Sequence, residues 1–278
     1  MKKSTTKSNA KKKIVPAMRL AARGKAPKKS SSPIKKTNTG RKKTPAGRNA
    51  LAAKRGVLAP SRGALAPGRV AAILKALDEA YPEAECALHH RSPWELLVAT
   101  ILSAQCTDVR VNLVTPKLFK TFPTPKAMAA ASLPELEELI RTTGFFRNKA
   151  KSINGAARVV VEEFGGKVPQ TLEEIPRLPG VARKTGNVVL GSWYGIAVGV
   201  VVDTHVMRLS RRLELTKHTT PEKVEADLMK IIPQDRWIAF SHELIHHGRQ
   251  ICVARKPRCV DCRLERLCNS ADKTWSSH

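Results

Sequence analysis

The first 68 residues contain no aspartate, no glutamate and no aromatic side chain, yet they hold 20 lysines and arginines. A stretch of this composition cannot bury enough apolar surface to offset chain entropy, which predicts a disordered basic tail over 1–68. An organelle-targeting role is open to such a tail, but its blocks, Lys11–Lys13, Lys28–Lys29, Lys35–Lys36 and Arg41–Lys43, favour contact with nucleic acid or nuclear import slightly more. Long apolar runs are missing too. The longest, Ile196–Val202, has seven residues, far short of the ~18 that a membrane span needs. The N-terminus has no apolar core segment of the secretory kind. That absence removes the oxidising compartment in which a cysteine cluster would read as a set of disulfides. The alternating apolar pattern of strands is also absent, which leaves an all-α fold.

What is present points to a polyanion. The net charge is +27, and residues 69–278 still carry 30 basic against 23 acidic side chains. Nucleic acid is the foremost partner for such a charge, with an anionic membrane surface second. Hydrophobic residues make up 42% of the chain, enough for a core. Helix signals begin near Arg69. Ser92-Pro93-Trp94-Glu95 reads as a capping box with proline in the first turn, opening a helix to about Gln105. Ser132 with Glu135 forms a second box, and Gly144 a stop. A helix is expected from about Arg147 to Phe164, ending at Gly165-Gly166. Thr171 with Glu174 opens a short one, Thr220-Pro221 another, and 236–247 form one more. Residues 196–202 read as a buried extended connection.

Leu178-Pro179-Gly180-Val181-Ala182-Arg183-Lys184-Thr185-Gly186 is the most informative stretch. A Pro-Gly turn between two helices leaves open N–H groups at the start of the second helix, where a phosphate can sit. Such a hairpin grips the nucleic-acid backbone without reading its sequence. An ordinary packing corner would look the same. Lys184 falls in the first turn of the second helix, and two roles are open to it. One is phosphate contact, the commoner role. The other is nucleophilic amine catalysis, in which the amine attacks C1′ of a damaged nucleotide, expels the base and leaves a Schiff base ready for β-elimination. Nineteen residues on, Val202-Asp203-Thr204-His205 offers Asp203 either as an N-cap or as a carboxylate facing Lys184 across a cleft. His205 reads as a helix residue turned to the core. Cys86 and Cys106 read as buried, inert thiols.

Cys252, Cys259, Cys262 and Cys268 fall within seventeen residues. Four thiolates at this spacing can hold either an iron–sulfur cubane or a tetrahedral zinc. The residues between them are basic, Arg255, Lys256, Arg258, Arg263 and Arg266 among them, so a metal-pinned loop would present positive charge to phosphates.

Together with Leu102-Ser103-Ala104-Gln105-Cys106-Thr107-Asp108, these segments resemble the endonuclease III family of DNA glycosylase/AP lyases over about residues 69–270. The resemblance implies a helix-hairpin-helix glycosylase fold of two helical lobes. A six-helix barrel lobe would span 88–197, a cluster lobe would combine 69–87 with 198–270, and 271–278 would form a short tail. It also implies Lys184 as the Schiff-base nucleophile, Asp203 as its carboxylate partner, and a [4Fe–4S] cluster on the four cysteines. By the same resemblance Gln105 fills the gap left by an extruded nucleotide, and Phe145 is an apolar wedge against the opposite strand. Gly180, Val181, Ala182 and Arg183 of the hairpin, with Arg255, Lys256 and Arg258 of the loop, would contact DNA. The implied activity is base excision repair of oxidised pyrimidines with β-elimination at the abasic site. The partner is double-stranded DNA carrying damaged bases or abasic sites, and the enzyme acts as a monomer without a membrane. Its place would be the bacterial cytoplasm at the nucleoid, or a nucleus or mitochondrion in a eukaryote. Two positions depart from the family pattern: Ala182 replaces a hairpin glycine, and Gly186 replaces an alanine. Two other readings compete. A monofunctional glycosylase such as an adenine glycosylase lacks the hairpin lysine that is present here, and a non-catalytic DNA-binding protein would have no need of either catalytic residue.

Overall fold

The computed structural model describes residues 65–275. Of the tail expected over 1–68, residues 1–64 lie outside the described residues, as do the last three of the expected C-terminal tail, while Pro67 and Gly68 already belong to a helix because proline suits its first turn. Among the described residues there are ten α-helices and no strand: α1 Pro67–Ala80, α2 Pro93–Ser103, α3 Asp108–Thr121, α4 Pro125–Ala130, α5 Leu133–Ile140, α6 Phe146–Glu162, α7 Arg183–Tyr194, α8 Thr204–Arg212, α9 Pro221–Ile231 and α10 Trp237–Gln250.

Their starts follow from local chemistry. Side-chain oxygens of Ser92, Thr107, Thr124, Ser132 and Asp203 each accept from a backbone N–H two or three residues into the helix, satisfying donors that no helical carbonyl reaches. Proline stands in the first turn of α1, α2, α4, α5 and α9, where its missing N–H costs nothing. At Ser132 the capping box is complete, since Glu135 Oε2 accepts in return from Ser132 N at 3.1 Å. At Ser92 it is half made, because Glu95 Oε2 accepts instead from Arg91 N at 2.7 Å. Helix α2 stops at Ser103, two residues short of the expected end, and Gln105 turns left-handed with φ 53°. The segment opened by Thr171 makes only a 3-10 turn at Ile175–Arg177. Helices α3 and α4 lie where no helix is expected from the sequence.

The buried apolar residues form two cores. One is contiguous in sequence and runs from Leu88 to Leu190, drawing on α2 through α7. The other takes Val70, Ile73, Leu74 and Leu77 of α1 and combines them with residues between Val200 and Leu264. A buried arginine ties the two ends of this second core together. Arg69, in the first turn of α1, donates through Nη2 to Leu213 O at 2.8 Å and to Leu267 O at 2.7 Å. The connection 196–202 between the cores has no regular structure; Gly199, Val200 and Val202 are buried and the other four residues half-buried. Any Cβ at Gly199 would overlap the Glu225 carboxylate.

Candidate active site

The hairpin is built on one left-handed residue. Gly180 has φ +77°, and Val181 N closes the turn on Leu178 O at 3.1 Å. Ala182 is extended, φ −96° and ψ 171°, a conformation open to any residue, so alanine there carries no strain. Gly186 also has a reason. A Cβ at that position would lie 2.7 Å from Ile175 Cγ2, because Ile175 occupies the space an alanine methyl would take. No side chain caps α7, so its first N–H groups stay open toward solvent. Arg183 is not a free cation. Its Nε and Nη2 donate to Glu225 at 3.1–3.2 Å, and Asn187 Nδ2 donates to the same carboxylate at 2.9 Å. Glu225 of α9 thereby fixes the start of α7. Val181 is buried, whereas Gly180, Ala182 and Arg183 are exposed.

Lys184, exposed in the first turn of α7, and Asp203, half-buried at the start of α8, line the same cleft, together with Gln105. Asp203 does cap its helix: Oδ1 accepts from Val206 N at 2.8 Å, while Oδ2 has no hydrogen-bond partner among the described residues. One oxygen of the carboxylate thus serves the helix, and the other is left without a partner among the described residues. His205 lines this cleft rather than the core. Burial lowers its pKa against the opposing pull of the Asp203 carboxylate. Cys86 and Cys106 also line the cleft and are only half-buried, with burial pushing the Cys86 thiol up. The residues that sequence reasoning missed come from α10. His242 accepts from or donates to Ser192 Oγ at 3.2 Å, and burial, with His246 and Arg249 adding to it, lowers it to about 4. Arg249 pairs with Asp108 at 2.5 Å at the edge of the cleft. Phe145 lies outside the cleft lining. It is 63% exposed and left-handed, φ 46°.

The four cysteines line one separate cavity. Arg212 Nη1 donates to Cys252 Sγ at 3.2 Å and to Val253 O at 2.8 Å, and Nη2 donates to Ala254 O at 3.1 Å. Thr274 N donates to Cys259 Sγ at 3.4 Å. Burial, reinforced by the other three sulfurs, pushes the Cys262 thiol up to about 11, so four thiolates here call for a positively charged group between them. Among the described residues no three candidate ligands gather as they would around a single ion, although the sulfurs face one space. Arg255 and Lys256 are exposed and make no ion pair among the described residues, whereas Arg258 is paired with Asp261 at 2.7 Å.

A helix-hairpin-helix beside a cleft that holds a lysine and a carboxylate defines a class. Residues 98–234 match the model of the HhH-GPD superfamily base excision DNA repair proteins. Endonuclease III of Synechocystis sp. is 60% identical over 199 residues, 72% of this chain and 91% of that protein. Endonuclease III of Bacillus subtilis is 42% identical over 201 residues, again 72% and 91%. A solved trapped endonuclease III–DNA covalent intermediate superposes with a TM-score of 0.71 at 42% identity, covering 74% of this chain and 96% of that one. A thermostable thymine-DNA glycosylase, at 22% identity and TM-score 0.66, shares the fold. The chain belongs to the endonuclease III family, and its class of activity is base excision DNA repair. None of the described helices is long and apolar enough to cross a membrane.

Proposed function

We propose that this chain excises oxidised pyrimidines from double-stranded DNA and cleaves the resulting abasic strand by β-elimination, with Lys184 as nucleophile and Asp203 as its partner. The observation that carries this reading is the meeting of Lys184 and an oxygen of Asp203 without a hydrogen-bond partner in one cleft, beside a helix start that no side chain caps. The covalent intermediate trapped in the related endonuclease III is in keeping with it. Nζ of Lys184 forms a bond to C1′ while the bond from C1′ to the base breaks, its electron pair leaving with the base, which then takes a proton. The nitrogen gives up two protons, one to solvent and one ending on O4′, which keeps the electron pair of the C1′–O4′ bond as it opens, and an imine remains. The imine acidifies the 2′ proton. Its removal expels the 3′ phosphate, and water then frees the lysine. Asp203 stabilises the cationic sugar and passes protons.

The open N–H groups of Ala182, Arg183 and Lys184 hold a backbone phosphate in this reading, with Gly180 and the backbone of Val181 shaping the turn. Arg255, Lys256 and Arg258 meet the same strand from the cysteine loop. Gln105 fills the gap left by the extruded nucleotide, and Phe145 wedges the opposite strand, restoring part of the stacking lost on extrusion. The two separate cores support two lobes, a six-helix one of α2–α7 and one made of α1 with 198–270. Cys252, Cys259, Cys262 and Cys268 hold a [4Fe–4S] cluster in this reading, which their lining of one cavity supports. With four protein ligands the cluster has no open coordination site, so it fixes the basic loop. The bacterial relatives support a cytoplasmic place at the nucleoid.

Borohydride trapping tests the chemistry. Wild type is expected to cross-link to duplexes carrying an oxidised pyrimidine or an abasic site, and Lys184→Ala to lose the cross-link. Equal trapping by Lys184→Ala would end the assignment.

A further inference from the structure

Gln105 and Phe145 sit on two different loops, and both adopt the left-handed backbone that β-carbon-bearing residues avoid, φ 53° and 46°. Something has to hold each loop in that shape and hold the two at a fixed separation. The residue placed to do so is Lys149. Its side chain is buried, 5% exposed, in the first turn of α6. Its Nζ donates to Leu102 O at 2.8 Å and to Thr143 O at 2.8 Å. Leu102 O is one of the carbonyls at the C-terminal end of α2 that no helical N–H reaches, three residues before Gln105. Thr143 O is the last carbonyl of the 3-10 turn Arg141–Thr143, two residues before Phe145. The backbone N–H of Lys149 donates in addition to Phe145 O at 3.1 Å. One side chain and its own amide thus fasten both loops at their roots, and a cation there also suits the negative ends of two helical turns.

We infer that Lys149 is a positioning residue for base extrusion: its ammonium sets the spacing between the gap-filling Gln105 and the wedge Phe145, so that both enter the duplex in one motion. This rests on the roles given to Gln105 and Phe145 above. It differs from a general stabilising role because extrusion is needed only when the damaged base is stacked and paired. A lesion already unstacked needs neither side chain. Loss of Lys149 therefore slows the enzyme selectively on fully paired DNA.

Single-turnover excision of thymine glycol is measured on two substrates, a fully paired duplex and the same lesion in a bulge with no opposing base. For Lys149→Met, which keeps the length of the side chain and removes the donors, the duplex-to-bulge rate ratio is expected to fall at least tenfold below wild type. Lys149→Arg, which restores a cation, recovers part of that ratio. Equal losses on both substrates would overturn the inference while leaving the glycosylase reading intact. A wild type inert on both would instead defeat the glycosylase reading. Should Lys149→Met not fold, Gln105→Ala, Phe145→Ala and their double variant decide the matter. Side chains coupled through one anchor give non-additive losses in the ratio, and additive losses refute the coupling.

Discussion

Replacing Gly180 with alanine strikes the hairpin at its one left-handed residue. Two costs follow from the geometry. An L-residue held at φ +77° costs about 1–2 kcal/mol. The new Cβ would stand 2.5 Å from Ser152 Cβ and 2.7 Å from Ser152 Oγ, an overlap that forces α6 and the hairpin apart and adds about 1–3 kcal/mol. A stiffer unfolded chain returns about 0.4–1 kcal/mol. The net expectation is a loss of about 1–5 kcal/mol in urea denaturation. The two costs can be separated. Ser152→Gly removes both clashing atoms, leaving Ser152 Cα at 3.7 Å, and by itself costs only about 0.5–1 kcal/mol of helix propensity. In the Ser152→Gly background, Gly180→Ala is therefore expected to cost only the left-handed strain. Borohydride trapping on an abasic duplex should follow the same order, weakest in the single Gly180→Ala variant. A Gly180→Ala protein within about 0.5 kcal/mol of wild type, a surface-like effect, would refute the reasoning, as would a double variant no better than the sum of the two singles.

Three further outcomes are expected. Purified protein should be brown, with broad absorbance near ~400 nm and iron matched by sulfide, whereas colourless protein with stoichiometric zinc would defeat the cluster assignment. Glu225→Ala removes the acceptor shared by Arg183 and Asn187 and should cost about 1–3 kcal/mol by chemical denaturation, chiefly because the buried Asn187 amide loses its partner; a change under about 0.5 kcal/mol would argue against it. His242 is held neutral in the fold with its pKa lowered to about 4 from 6.5, so as pH falls the unfolded chain takes up its proton first. Its contribution is fully present above pH 6.5 and is lost between 6.5 and 4. Denaturation at pH 7 and pH 4.5 should show a smaller acid loss for His242→Gln than for wild type, and identical losses would count against the assignment.

The parts of the site that rest on neighbours in sequence were legible before the structure. The Ser132–Glu135 box, the Pro-Gly turn, the Asp203 cap and the cysteine spacing are each decided within a few residues. Helix α3 was not, because Pro116 in its interior is a helix-breaking signal that tertiary packing of Val111, Val114 and Leu118 overrides. The early end of α2 at Ser103 depends on Lys149, 47 residues away, taking up the Leu102 carbonyl. The cleft contribution of α10 was hidden for another reason. Helical periodicity tells which residues are apolar, but not which half-polar face, here His242 and Arg249, will border a groove. Gly186 illustrates the same limit, since only the position of Ile175 explains why a helix former is excluded there.

The Arg69 contacts have a bearing on biosynthesis. The core from Leu88 to Leu190 is one uninterrupted piece of chain and can close while the ribosome is still at work. Helix α1 is made earlier but has no such partner. Its apolar face waits for residues beyond Val200, and its buried guanidinium waits for the carbonyl of Leu267, almost the last described segment to emerge. At roughly 5–20 residues per second the delay is on the order of ten seconds. Through that interval the first of the described helices keeps Val70, Ile73, Leu74 and Leu77 uncovered, making it, among the described helices, the one on which a chaperone or a protease has most time to act.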